Sequence, residues 1–370
     1  MKVLIITASL DEKSGWGRYS TAVVKELARQ GHQVEAFSEN AADLPGVKVR
    51  SLKPLRFRLD IVSLLSNSLR IRSVARGTDI VHALDGWPYG VYGYAAVAGT
   101  SRKLFINGVG TYSVAPLFER GSAFLLRRAY VRAKEILCIS DYTRDQVVAA
   151  GVQASKVRTV LMGAPELPSI PQEQIQAVLD TLKIRDAFPM ILTVGSIKDR
   201  KGQLETLKAV KILKEKYPNI VYIVAGSGNQ KEYITTLQKY ADSEGLASHL
   251  RIVTGADDAE ISALYAACTV FALNSNTDPS SHHFEGFGLV VIEAAGYGKP
   301  SVGSRDSGVE SAIDDGKTGF LTDQHDPADI ADKVGRILSQ YEFFSSNAKM
   351  WHSKFTWHDT VRKYVQAYEG

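Results

Sequence analysis

Two segments of the chain combine glycines with charged side chains in a pattern suited to gripping an anion. In the first, Glu285-Gly286-Phe287-Gly288-Leu289-Val290-Val291-Ile292-Glu293, a glycine-containing turn runs into an apolar stretch of helical character. A helix beginning near Gly288 leaves the N–H groups of Gly288, Leu289 and Val290 without helical partners and sets the positive end of its dipole beside them, an arrangement that suits a phosphate. Glu285 then stands in the loop, and Glu293 shares a helical face with Leu289, so two carboxylates border one site. In the second segment, Gly195-Ser196-Ile197-Lys198-Asp199-Arg200-Lys201-Gly202, three basic side chains follow the apolar run MILTV. They stand at a strand's carboxyl end, where open α/β sheets bind ligands. Lysine offers a point charge and arginine a planar fork, and cations at a helix start are unfavourable unless an anion offsets them. Taken alone, the two glutamates read as a helix-start acid and a solvated one; the basic loop is what gives them chemistry.

Other residues are less specific. The glycine turns Ser14-Gly15-Trp16-Gly17 and Ala225-Gly226-Ser227-Gly228 follow apolar runs. Neither has the GxGxxG spacing, with an acid about 20 residues on, of a dinucleotide site, which counts against an oxidoreductase. His82 and Asp85, in DIVHALDG, stand at a strand's carboxyl end and are read as facing a second substrate. Adjacent His282 and His283 have poor geometry for a shared metal, and they read as solvated or acceptor-facing. No Asp-x-Asp pair accompanies the glycine loops, and no metal is expected.

Positioning these groups requires a particular scaffold. In the first half, VLIIT, QVEAFS, VKVRSL, DIVHAL, KLFIN, EILCIS and VRTVLM are short β-branched runs, most of them separated by helix-length stretches. The alternation predicts a largely parallel, doubly wound sheet. The proline-rich MGAPELPSIPQEQ interrupts it, after which MILTVG, NIVYIVAG, LRIVTG, TVFAL, PSVGS and GFL form a second α/β set. The last residues, FTWHDTVRKYVQAYE, place Val361, Tyr364, Val365 and Tyr368 at helical spacing and predict a closing amphipathic helix.

With 370 residues, 45% of them hydrophobic and 23% charged, the chain suits two folded domains. Cys138 and Cys268 lie in apolar runs and are expected to be reduced, buried and inert. MKVLIITASL reads as a first strand and not a signal sequence, and no run approaches a membrane span, so a cytoplasmic protein is expected. Residues 1–165 carry 23 Lys and Arg against 13 Asp and Glu, whereas the remainder carries 21 against 27. The excess includes Lys53, Arg56, Arg58, Arg70, Arg72 and Arg76, with Arg127, Arg128, Arg132 and Lys134 beside Phe124, Leu125 and Leu126. Basic residues interleaved with apolar ones suggest peripheral docking on an anionic membrane surface at its inner face. No nucleic-acid recognition motif accompanies the charge, and nucleic acid is not expected as a partner.

Taken in order, SGWGRYS, SDYTRDQVVAAGV, TVGSIKDRKG, VAGSG, ISALYAACTVFAL, EGFGLVVIEAAGYGKP, SGVESAIDDGKTGFL and FTWHDTVRKYVQAYE resemble glycosyltransferase family 4, retaining enzymes of the GT-B kind, over nearly the whole chain. The resemblance implies an α/β GT-B fold of two Rossmann-like domains facing across a cleft. Residues 1–165 would bind the acceptor, residues 166–350 the nucleotide-sugar donor, and residues 351–370 would form a helix crossing back to the first domain. It implies metal-independent transfer of a hexose, with retained configuration, from a UDP- or GDP-linked donor to a hydroxyl of a glycan or lipid-linked glycan, and no cofactor.

By the same resemblance Glu293 would bind the donor ribose. Glu285, with backbone at Gly286, Phe287 and Gly288, would contact the transferred sugar. Lys201 and the N–H groups of Leu289 and Val290 would hold the diphosphate, Thr254 would lie near the base, and Gly17 would close against the diphosphate. The chain departs from the family pattern at two positions. Ser196 stands where an arginine usually follows the strand-end glycine, leaving Arg200 or Lys198 to supply that charge, and Val109 stands at an acceptor-side position usually held by histidine. Another GT-B nucleotide-sugar enzyme, such as an epimerase, and a catalytically weakened homologue acting as a binding partner stay open at this point.

Overall fold

A computed structural model describes residues 1–12, 14–57 and 59–370; Arg58 of the basic stretch lies outside the described residues. The chain divides into two compact units. The first comprises Met1–Gly163, Pro279–Gly286 and Thr356–Gly370, and the second Ala164–Asp278 and Phe287–Phe355.

Among the described residues the first unit holds seven parallel strands: β1 (Lys2–Ser9), β2 (Gln33–Asn40), β3 (Lys48–Ser51), β4 (Ile80–Ala83), β5 (Lys103–Gly108), β6 (Glu135–Cys138) and β7 (Val157–Thr159). Their order is β3-β2-β1-β4-β5-β6-β7, so the winding reverses between β1 and β4. Central strands such as β1 and β4 are buried along nearly their whole length, as expected when helices cover both faces. Helix starts follow the capping residues. Ser14 accepts from Gly17 N–H, Asp60 from Ser63 N–H and Ser140 from Thr143 N–H.

The second unit holds β8 (Met190–Val194), β9 (Val221–Gly226), β10 (Leu250–Thr254), β11 (Val270–Leu273), β12 (Ser301–Ser304) and β13 (Gly319–Thr322) in the order β10-β9-β8-β11-β12-β13. Here the reversal falls between β8 and β11. Cys138 and Cys268 are both buried free thiols, and burial pushes Cys268 up to about 12, which leaves it unreactive near neutrality.

Two boundaries differ from the sequence expectation. Pro279–Gly286 groups with the first unit because Phe284 packs on Tyr142, with ring centres 5.1 Å apart, and Thr111 Oγ1 accepts from Phe284 N–H. The second unit runs to Phe355, beyond 350, because Trp351 Nε1 donates to Ala312 O and Phe355 packs on Phe287.

The closing helix Trp357–Glu369 is part of the first unit, fastened by a buried polar network. His82 shares 2.6 Å with the Tyr368 hydroxyl through Nδ1 and 2.7 Å with Asn107 Oδ1 through Nε2. Asn107 Nδ2 donates to the hydroxyls of Tyr364 and Tyr19. Because that amide nitrogen is occupied in donating, Oδ1 faces His82, which puts the imidazole proton on Nε2 and leaves Nδ1 to accept from Tyr368. His82 has no exposed surface. The reading of His82 as an acceptor-facing residue is therefore corrected. On a strand covered on both faces, neither direction leads to solvent.

Asp85 is corrected likewise. It is 1% exposed, and its Oδ1 accepts from Ser113 Oγ and Gly86 N–H, each at 2.6 Å. Burial raises Asp85 to about 8, against the pull of Ser113 and Gly86, and lowers His82 to about 4, against the Asn107 hydrogen bond.

These shifts have opposite consequences. Between pH 6.5 and about 4 the unfolded chain protonates His82 while the native chain does not, so that contribution is full above 6.5 and is lost on acidification. Native Asp85 keeps its proton up to about pH 8, whereas the unfolded carboxyl ionises above 3.8, so its contribution is full at low pH and is lost as pH rises. Each slope is about 1.4 kcal/mol per pH unit, and in the shared window they offset. Asp85→Asn should leave the His82 slope unopposed. Urea titrations between pH 6.5 and 4.5 should then show the variant losing about 1.4 kcal/mol per unit more than the parent on acidification; parallel slopes would contradict the assignment.

Candidate functional site

In the second unit the loop 195–202 and the stretch 287–293 follow β8 and β11, the neighbouring strands between which the winding reverses. A ligand crevice in an open α/β sheet lies outside the carboxyl ends of such a pair.

The loop after β8 is built from backbone packed on backbone. Gly195 and Gly226 have φ of +142° and +151°, and a Cβ on Gly226 would lie 1.9 Å from the Gly195 carbonyl oxygen. Gly202, at φ +62°, lies under the Asn274 carbonyl, 1.7 Å from where its Cβ would be. Ile197 N–H donates to Ser227 O and Asn276 N–H to Arg200 O, tying the loop to the ends of β9 and β11. Gln203 is fully buried and closes the loop from inside, accepting from Lys198 N–H and donating to Ser196 O.

Lys201 ends the turn Asp199–Lys201, ahead of the helix Gln203–Lys214. Its Cε and Nζ come within 3.7 and 3.9 Å of the space a Gly195 Cβ would fill, so the ammonium lies along the strand end. Ser196 takes no charge there and pairs with Ser227, Oγ to Oγ at 3.3 Å. Arg200 and Lys198 belong to the same turn region, at 199–201 and at its amino-terminal cap.

On the β11 side, Asn274 is buried and braced by Thr206 and Thr322. The helix Leu289–Gly296 starts at Gly288, which has φ +88° and packs under Leu273 and Val309; no side chain caps this start. The N–H groups of Leu289 and Val290 therefore open the helix without a capping oxygen, at the positive end of its dipole. Phe287 is buried against Phe355, which leaves its backbone as the part able to meet a ligand. Glu293 is nearly buried and accepts from the Tyr265 hydroxyl at 3.0 Å; Tyr265 stacks on Tyr297, rings 5.9 Å apart. Sequence reasoning missed Tyr265, whose place on the apolar face of Asp258–Ala267 carries no signal beyond core packing. Thr254 ends the edge strand β10 and is exposed, two strands from β8.

The remaining predicted residues belong to the first unit. Gly17 lies in the helix Gly15–Arg29, and its N–H is taken by the Ser14 cap at 3.0 Å. A Cβ there would meet Asp11 Oδ1 at 2.8 Å, so the glycine is set by close packing. Val109 N–H donates to Ser113 Oγ, and Gly286 sits over the Val109 carbonyl, 2.4 Å from where its own Cβ would be. Thr143 Oγ1 donates to Gly286 O. Val109, Glu285 and Gly286 are thus brought together, whereas His82 and Asp85 lie in the core. His282 stacks on Phe118 at 3.7 Å.

Residues 175–351 match the family described as "Glycosyl transferases group 1", and residues 13–164 match "Glycosyltransferase Family 4". A GDP-mannose-dependent alpha-(1-6)-phosphatidylinositol monomannoside mannosyltransferase of Mycolicibacterium smegmatis is 28% identical over 58% of this chain and 55% of its own length. A D-inositol 3-phosphate glycosyltransferase of Corynebacterium urealyticum is 32% identical over 48% of this chain and 42% of its own. The chain thus spans about half the length of the curated relatives it matches. Among solved structures, a glycosyltransferase from Rickettsia africae superposes with TM-score 0.83 at 17% identity, over 100% of this chain and 97% of that one. Anabaena HepE in complex with UDP and glucose gives 0.79 at 20%, over 100% and 99%. Matched in its first half by one family description and in its second by the other, and sharing the GT-B fold along its length, the chain belongs to glycosyltransferase family 4.

Proposed function

We propose that the protein transfers a hexose from a UDP- or GDP-linked donor to a hydroxyl of a glycan or lipid-linked glycan, with retained configuration and without a metal. The observation that carries this reading is that Lys201 and the uncapped start of Leu289–Gly296 follow adjacent strands, β8 and β11, between which the winding of the second sheet reverses. The names of the relatives, one GDP-mannose-dependent and others acting on inositol phosphate, support a phosphorylated-polyol or lipid-linked acceptor. HepE, solved with UDP and with UDP-glucose, supports a nucleoside diphosphate sugar as donor.

In this reaction the bond between the anomeric carbon and the β-phosphate oxygen breaks, and the acceptor oxygen bonds the same carbon on the same face. The acceptor proton passes to the departing phosphate oxygen. Negative charge grows on the diphosphate as the bond lengthens, and Lys201, Arg200 and the N–H groups of Leu289 and Val290 stabilise it without reorganising. Gly195, Ser196 and Lys198 line the same turn. Glu293, held by Tyr265, takes the ribose hydroxyls, and Thr254 lies toward the base. Glu285 contacts the transferred sugar.

No helix among the described residues is long and apolar enough to cross a membrane. The helix Ile61–Ala75 nevertheless turns Ile61, Val62, Leu65 and Leu69 outward, 60–71% exposed, with Lys53, Arg56 and Arg70 exposed nearby. We infer that this face meets an anionic bilayer. Arg72 and Arg127 are not part of this face; their guanidinium groups are turned to backbone carbonyls.

Lys201→Ala should slow acceptor-dependent release of the nucleoside diphosphate by ~10²- to 10³-fold, the scale of losing one preorganised donor. Unchanged release and unchanged donor affinity would remove Lys201 from the site. In the parent chain, isomerisation without acceptor would favour an epimerase, and binding without turnover a binding partner. For the bilayer, Leu65→Glu combined with Leu69→Glu should weaken binding to phosphatidylglycerol vesicles, read by sedimentation, by about two to four orders of magnitude, given roughly 1.5–3 kcal/mol per buried aliphatic. Equal sedimentation of parent and variant would exclude this face.

A further inference from the structure

A cationic concavity, about 570 Å³ in volume, opens at the amino ends of β5, β6 and β7 in the first unit. Arg102, Lys103, Arg132, Lys134 and Lys156 line it, with Glu135 as its one acid. Glu135 is engaged by Arg158 at 2.9 Å and does not neutralise the five.

Backbone carbonyls hold four of these cations in place. Arg102 donates to Arg76 O and Thr78 O, Arg132 to Thr100 O and Arg102 O, Lys103 to Tyr368 O, and Lys156 to Val131 O and Ala133 O. Three helices therefore end here: Ile61–Ala75, Ser122–Arg132 and Trp357–Glu369. Capping those ends is the simplest role for the cations. It is too small to account for them, since a helix carboxyl end carries about −0.5 charge and three of them about −1.5, leaving a surplus of about +3.5. No carboxylate among the described residues pairs with any of the five. Lys134 is exposed, and Ser101 and Ser155 add hydroxyls at the rim.

We propose that this concavity binds a phosphate-bearing anion of two or more charges, separately from the donor site. The fixed cations are preorganised, so an entering phosphate meets charge already in position and pays little ordering entropy. Such a phosphate is carried either by a lipid headgroup or by a free phosphorylated solute, and the chemistry of recognition is shared.

The test uses the whole chain and inorganic tripolyphosphate, titrated calorimetrically at low salt. In Lys201→Ala, where the donor site is weakened, saturable binding is expected to persist, and adding Lys134→Glu, or Ser155→Asp, which puts a carboxylate at the rim, should weaken it roughly tenfold. No saturable binding in Lys201→Ala, or equal binding with and without the rim substitutions, would overturn the proposal. Pelleting with vesicles containing a phosphatidylinositol phosphate, competed by tripolyphosphate, would assign the site to a headgroup. Tripolyphosphate binding without such pelleting would assign it to a soluble phosphate.

Discussion

Backbone packed against backbone at the ends of β8, β9 and β11 fixes the loop that carries Lys198, Arg200 and Lys201. Gly226 lies on the Gly195 carbonyl and Gly202 under the Asn274 carbonyl, and neither contact leaves room for a Cβ. The loop is therefore held by its main chain, and the backbone of Lys201 takes its position from the sheet. Substituting these glycines would displace the loop from two strands at once. The same logic fixes Gly288, where positive φ and the crowding of Leu273 and Val309 set the first turn of the helix Leu289–Gly296.

The first unit is organised differently, around buried polar groups that keep their neutral forms. His82, Asn107, Tyr19, Tyr364 and Tyr368 satisfy one another in the interior and bind the closing helix to β4 and β5. Each deletion would strand a partner without water, which costs more than the hydrogen bond itself contributes. Charge at this unit's periphery is likewise anchored by carbonyls at helix ends. Part of the basic excess visible in the composition is thus fixed by the fold, and it gathers in one concavity.

The strand runs read from the sequence all correspond to strands, because β-branched runs bounded by glycine and proline leave little choice. Lys201 and the start at Gly288 were legible for a local reason, being fixed by residues adjacent in sequence. His82 and Asp85 were not. Alternation along a strand says which residues share a face, but with both faces covered it cannot say which one meets a ligand. Tyr265 stayed hidden because its bond to Glu293 spans 28 residues and depends on how two helices pack. The attachment of Pro279–Gly286 to the first unit depends in the same way on Phe284 finding Tyr142.

The central claim is that the second unit's switch point holds a nucleoside diphosphate sugar through Lys201, the helix start at Leu289 and Glu293. Thermal unfolding of the parent and of Glu293→Gln with UDP-, GDP- and ADP-sugars tests it most directly. One donor at 100 times its dissociation constant should stabilise the parent by ~2.7 kcal/mol, and Glu293→Gln should lose much of that gain. Stabilisation by none of the donors, or an equal gain in both proteins, would contradict the account.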